Sequence, residues 1–95
     1  MQSEVLMEKE VYMAPERVDA KNVKDVKKEL DALIDSGATE LIFDMSQMKY
    51  ISSAGLRMLV ETLKKLNDGF ALSNVPLAVK EILKMTGLTN IIKII

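Results

Sequence analysis

Apolar residues at Val23, Val26, Leu30, Leu33 and Ile34 recur every three or four positions, with lysines and acids between them. That period puts them on one face of a helix, from about Ala20 to about Ser36. Asp19, just ahead, can accept from the free amides of a first turn, and Gly37, just after, can take the left-handed conformation that ends a helix. A second stripe, Leu56, Leu59, Val60, Leu63 and Leu66, predicts a helix ending near Asn67-Asp68-Gly69. A third, Val79, Ile82 and Leu83, follows Pro76, whose missing amide hydrogen costs nothing at a helix start, and stops at Gly87. Short continuous apolar runs lie between the helices. Leu41-Ile42-Phe43, bounded by Glu40 and Asp44, reads as a buried central strand. Phe70-Ala71-Leu72 and the β-branched Ile91-Ile92-Lys93-Ile94-Ile95 read as two more. Val5-Leu6-Met7 and Val11-Tyr12-Met13, separated by Glu8-Lys9-Glu10, predict two short strands paired as a hairpin, the second stopped by Pro15. Met45 to Ile51 reads as a loop.

The resulting order, β-β-α-β-α-β-α-β, is an α/β fold: a single layer of mixed, mainly parallel sheet packed against helices, with right-handed crossovers. A chain of 95 residues fits one domain, 1–95, and a hydrophobic fraction of 48% can fill its core. A net charge of −1 argues against a general nucleic-acid binder and against a polybasic membrane anchor, since both need a cationic surface. Cysteine and histidine are absent. That leaves no disulfide or thiolate, removes the commonest base near neutral pH, and removes the commonest transition-metal ligand. The acidic start lacks a signal peptide's apolar stretch, and no run reaches the roughly 18 residues a membrane helix needs. A cytoplasmic location is expected by elimination.

The most unusual stretch is Tyr50-Ile51-Ser52-Ser53-Ala54-Gly55-Leu56, where a loop from the central strand enters the second helix. In parallel sheets such loops gather at the carboxyl edge, where binding sites are common. The plain structural reading is a serine N-cap, worth about 0.5–2 kcal/mol. In the same reading Ala54 and Gly55 are small so that the helix packs closely on the sheet. One cap needs one hydroxyl, however, which leaves the other serine free. A phosphate at a helix N-terminus meets unpaired amides and the positive end of the dipole, so its own domain tolerates it. Its effect then falls on a partner surface. Catalysis by these serines is disfavoured. The elbow Gly-x-Ser-x-Gly lacks its first glycine, no histidine can act as base, and no P-loop sequence occurs.

Phe43-Asp44-Met45-Ser46 followed by Tyr50-Ile51-Ser52-Ser53-Ala54-Gly55-Leu56-Arg57 resembles the STAS domain of anti-sigma factor antagonists. Ala14 to Asp19 is similar to that family's loop into its first helix, and Val79 to Leu88 to its third helix and following turn. The resemblance implies a STAS-like fold and a non-catalytic protein that binds an anti-sigma factor serine kinase, freeing a sigma factor for transcription. The kinase then phosphorylates one serine of the antagonist, which ends binding, and a serine phosphatase resets the switch. Aligned on Gly55-Leu56, the family's switch serine falls on Ser53. Ser52 stands where the family often has aspartate, so it is the alternative. ATP and magnesium belong to the kinase, and no cofactor is implied here. The resemblance also admits a STAS subunit or scaffold of a transporter or stress-signalling complex without the switch.

The candidate partner surface is Arg17, Asp19, Asp44, Ser46, Ser52, Ser53 and Arg57. Asp44 and Ser46 read first as a turn held by side-chain bonds to nearby amides, and second as support for the switch loop. Asp19 is a cap. Arg17 and Arg57 are candidates for partner carboxylates, Arg57 more so because it lies at the unfavourable end of the helix dipole. Met45, Met48 and Met58 are candidates for an adaptable apolar contact surface, Met58 rather for the core. No direct nucleic-acid contact and no membrane insertion are expected, and a monomer is favoured. The apolar Ile91–Ile95 strand is expected to be partly exposed, and so able to promote pairing between molecules.

Overall fold

A computed structural model describes residues 9–95. Strand β1 (Lys9–Met13) leads through β2 (Arg17–Val18) to helix α1 (Val23–Asp35). Then come β3 (Glu40–Asp44), β4 (Tyr50–Ile51), α2 (Ser53–Leu66), β5 (Phe70–Ser73), α3 (Leu77–Met85) and β6 (Lys93–Ile94). β1, β3, β5 and β6 form one parallel sheet in that order. Because the order never reverses, right-handed crossovers place all three helices on one face. That is the expected α/β layer, a mainly parallel sheet packed against helices.

Strand alternation decides which side chains meet the helices. Leu41 and Phe43 of β3 and Phe70 and Leu72 of β5 point inward and are sealed from solvent. Tyr12, opposite Phe43 in the register, stacks on it with ring centroids 5.5 Å apart, and Phe70 meets Phe43 edge-on. The helices bring Val26 and Leu30, Met58 and Leu59, and Val79 and Leu83 onto this layer. Val11, Met13 and Ile95 lie on the opposite face or edge and remain exposed.

Five expectations change. The first strand of the expected hairpin, Val5–Met7, lies outside the described residues, while its second half is β1, paired in parallel with β3 along its whole length. The Met45–Ile51 loop ends in a strand, β4, which pairs with β2 as a separate two-stranded parallel sheet. Two residues per strand are too few to show a period. Helix α1 begins at Val23, three residues past the expected start, because Ala20 to Asn22 form a turn. Asp19 caps that turn rather than the helix itself. Its carboxylate accepts from the Lys21 amide at 2.9 Å and the Asn22 amide at 3.3 Å, and Asn22 Oδ1 accepts from the Asp19 amide at 2.9 Å. Met45 and Met48 are core residues like Met58, not a contact surface. The β2–β4 sheet folds the loop back, so their thioether side chains fill space beneath it. The expected Ile91–Ile95 strand shortens to Lys93–Ile94, with Ile92 buried and Ile91 and Ile95 exposed.

Candidate functional site

The start of α2 is built on the small sheet. Val18 and Ile51 are register partners, both buried, and the Ser52 amide donates to the Val18 carbonyl at 2.9 Å. The chain then turns sharply into the helix, where Gly55 sits against this pair. A Cβ on Gly55 would lie 2.7 Å from Ile51 Cγ1, 3.0 Å from Val18 Cγ1 and 3.1 Å from the Val18 carbonyl oxygen. The glycine therefore serves close approach of helix to sheet, as the structural reading of Ala54-Gly55 anticipated.

The two serines divide the work. Ser52 is the N-cap, extended at φ −90° and ψ 174°, and its hydroxyl oxygen accepts from the Gly55 amide at 3.3 Å. Ser53, the first helical residue, is exposed, and among the described residues no side-chain hydrogen bond holds its hydroxyl. It stands beside the amides that a first helical turn leaves unpaired.

Arg17 and Asp19 flank Val18, so the Val18–Ser52 bond brings both next to the serines. The Arg17 guanidinium lies over the Tyr50 ring, 4.8 Å from its centroid, with its Nε 3.4 Å from Asp19 Oδ2. Amide hydrogen bonds, first from Lys21, hold the Asp19 carboxyl below the usual carboxylate range. Arg57 is exposed one turn into α2 and lines a groove of about 210 Å³ between α1 and α2. Val23, Lys24 and Lys27 form the α1 wall, with Ala54, Met58 and Glu61 beside Arg57 on α2. Lys27 Nζ donates to Glu61 Oε1 at 3.0 Å and ties the helices together. That pairing, with weaker help from Arg57, lowers the Glu61 carboxyl.

Asp44 and Ser46 form a second cluster at the carboxyl end of β3. Asp44 Oδ1 accepts from the Ser46 amide at 2.9 Å, and its Oδ2 accepts from Asn74 Nδ2 at 3.1 Å. These bonds depress the Asp44 carboxyl, the Ser46 amide most strongly. The turn reading thus describes the pair, and Asp44 additionally braces the β5–α3 loop, where Asn74 takes a left-handed φ of 51°. No described hydrogen bond joins Asp44 or Ser46 to Ser53. Sequence reasoning missed Tyr50, Asn22, Asn74 and the groove cations Lys24 and Lys27. Their roles depend on residues distant in the chain, although Tyr50 was already visible as an aromatic beside the serines. Among the described residues, no group of three or more acidic, histidine or cysteine side chains could hold a metal, and no helix is long and apolar enough to cross a membrane.

This architecture, a parallel sheet with its helices on one face, agrees with the family comparison. The chain belongs to the STAS domain family, whose model matches residues 6–95. It is 29% identical over 77 residues to BtrV of Bordetella bronchiseptica, a protein named as an anti-sigma factor antagonist. That match covers 78% of this chain and 66% of BtrV, so the chain spans just under two thirds of that relative's length. Among solved structures, TM1081 of Thermotoga maritima, described as an anti-sigma factor antagonist, superposes with a TM-score of 0.79 at 26% identity, covering 88% of this chain and 77% of that one. Unphosphorylated SpoIIAA gives 0.77 at 17% identity, over 99% of this chain and 86% of its own. A sulfate transporter family protein of Wolinella succinogenes gives 0.67 at 20% identity, covering 93% and 74%. The last two show the shared fold alone.

Proposed function

We propose that the protein is an anti-sigma factor antagonist that docks an anti-sigma factor serine kinase with the surface around the α2 N-terminus, and that phosphorylation of Ser53 ends the binding. The observation that carries this reading is the division between the serines. Ser52 supplies the cap, so Ser53 can be esterified without removing a bond that holds the fold. The kinase would transfer the γ-phosphoryl group of ATP to Ser53 Oγ, forming a P–O ester and releasing ADP and a proton. The added charge of about −1.5 to −2 and its hydration shell then oppose desolvation at the interface. Arg17 and Asp19, on either side of Val18, and Arg57, one turn along α2, would supply the polar rim. The names of BtrV and TM1081 support the antagonist role. The wider fold does not discriminate, because the sulfate transporter relative shares it.

The test is phosphorylation by the cognate kinase with ATP, read by mass spectrometry. Wild type and Ser52→Ala should both gain one phosphate on Ser53, and Ser53→Ala none. Phosphorylated protein should lose affinity for the kinase by at least about tenfold, roughly 1.4 kcal/mol. A Ser53→Ala variant that is still fully modified would refute the switch. A partner that binds the phosphorylated and unmodified forms equally would favour the transporter or scaffold role instead.

A further inference from the structure

Arg57 is poorly placed for structure alone. It sits one turn into α2, at the end of the helix where the dipole gives a cation no support. Among the described residues it makes no ion pair within 4.0 Å, and the carboxylate that lines its groove, Glu61, is already bonded to Lys27 at 3.0 Å. Its geometry points elsewhere. Residues four apart on a helix are surface neighbours, with Cβ atoms about 5–6 Å apart, and helical side chains lean toward the N-terminus. The turn that carries Ser53 is therefore within reach of Arg57, and both side chains are exposed. A guanidinium presents parallel N–H donors that match two phosphate oxygens, which a lysine does not.

We propose that Arg57 is the internal partner of a phosphate on Ser53, so that modification draws its guanidinium away from Glu61 and out of the α1–α2 groove. This rests on Ser53 being the modified residue. The phosphate thereby does two things. It adds charge at the helix mouth, and it withdraws from the groove a cation that an unmodified surface offers to a partner carboxylate. Lys27 stays tethered to Glu61, and Lys24 remains on the α1 wall.

The experiment needs no kinase. Phosphoserine is incorporated at position 53 during synthesis of the full chain, and its second ionisation, near pH 6 for an ordinary phosphoserine, is followed by phosphorus NMR. Arg57→Gln should raise the midpoint by about half a unit, roughly threefold in acidity, because the dianion loses its cation. Arg57→Lys should recover part of the shift, and Glu61→Gln should lower the midpoint further by freeing Arg57 from competition. A midpoint in Arg57→Gln within about 0.1 unit of wild type overturns the assignment. So does a shift produced by Lys24→Gln and not by Arg57→Gln. The two readings fail separately. A kinase that ignores Ser53 sinks the switch and leaves this titration unchanged, while a flat titration removes Arg57 and leaves the switch.

Discussion

Replacing Gly55 with alanine adds a single methyl group where the second helix leaves the small sheet. Its Cβ would sit 2.7 Å from Ile51 Cγ1, and that side chain is buried with little room to turn. It would also sit 3.0 Å from Val18 Cγ1 and 3.1 Å from the Val18 carbonyl oxygen, a backbone atom already bonded to the Ser52 amide. The helix cannot back away without stretching that bond. Overpacking of this kind costs about 1–3 kcal/mol. Alanine returns up to about 1 kcal/mol of helix propensity, and less in the first turn, where few intrahelical bonds have formed. The net loss should be about 1–2 kcal/mol, a fall in Tm of roughly 4–16 °C for a domain of this size. Thermal melts followed by circular dichroism would measure it, with urea titration to check that the cooperativity is unchanged. On the proposed switch, phosphorylation of Ser53 should slow as well, because the displaced first turn carries the serine with it. A Gly55→Ala protein as stable as wild type would mean that the contact between α2 and the Val18–Ile51 pair does not hold the site, and the packing account would be wrong.

Gly69→Ala should cost more, at least about 2 kcal/mol, since its Cβ would fall 2.1 Å from the Thr39 carbonyl oxygen and only backbone could yield. A melting temperature within error of wild type would contradict that. For Asp44 the sign follows from its depressed carboxyl. The folded-state value lies below the usual 3.8, so the stability it contributes is complete above that value and is lost as pH falls through the lower folded one. Wild type should therefore exceed Asp44→Asn in urea stability at pH 7, and the difference should shrink below about pH 4. A constant difference between pH 7 and pH 3 would show that the charge is not what Ser46 and Asn74 recognise.

Most of the architecture was legible in local pattern. Helical periods of three and four placed α1, α2 and α3, and short apolar runs placed β3 and β5, because an element of nine or more residues repeats its period several times and the central strands of the sheet are the most apolar short runs between helices. The serine pair at a helix start was likewise visible from residue type and position. Tertiary structure alone decided the rest. Strands β2 and β4 have two residues each and exist only because each finds the other more than thirty positions away. That pairing sends Met45 and Met48 inward, against the surface role their place in a polar loop suggested. It also makes Gly55 a packing requirement, gives the cap to Ser52, and leaves Ser53 in solvent. Asp44 meets Asn74 across 30 positions because β3 pairs with β5 up to Asp44 and Ser73. Local sequence sets which side chains can bond, but distance along the chain carries no information about which partners the fold brings within reach.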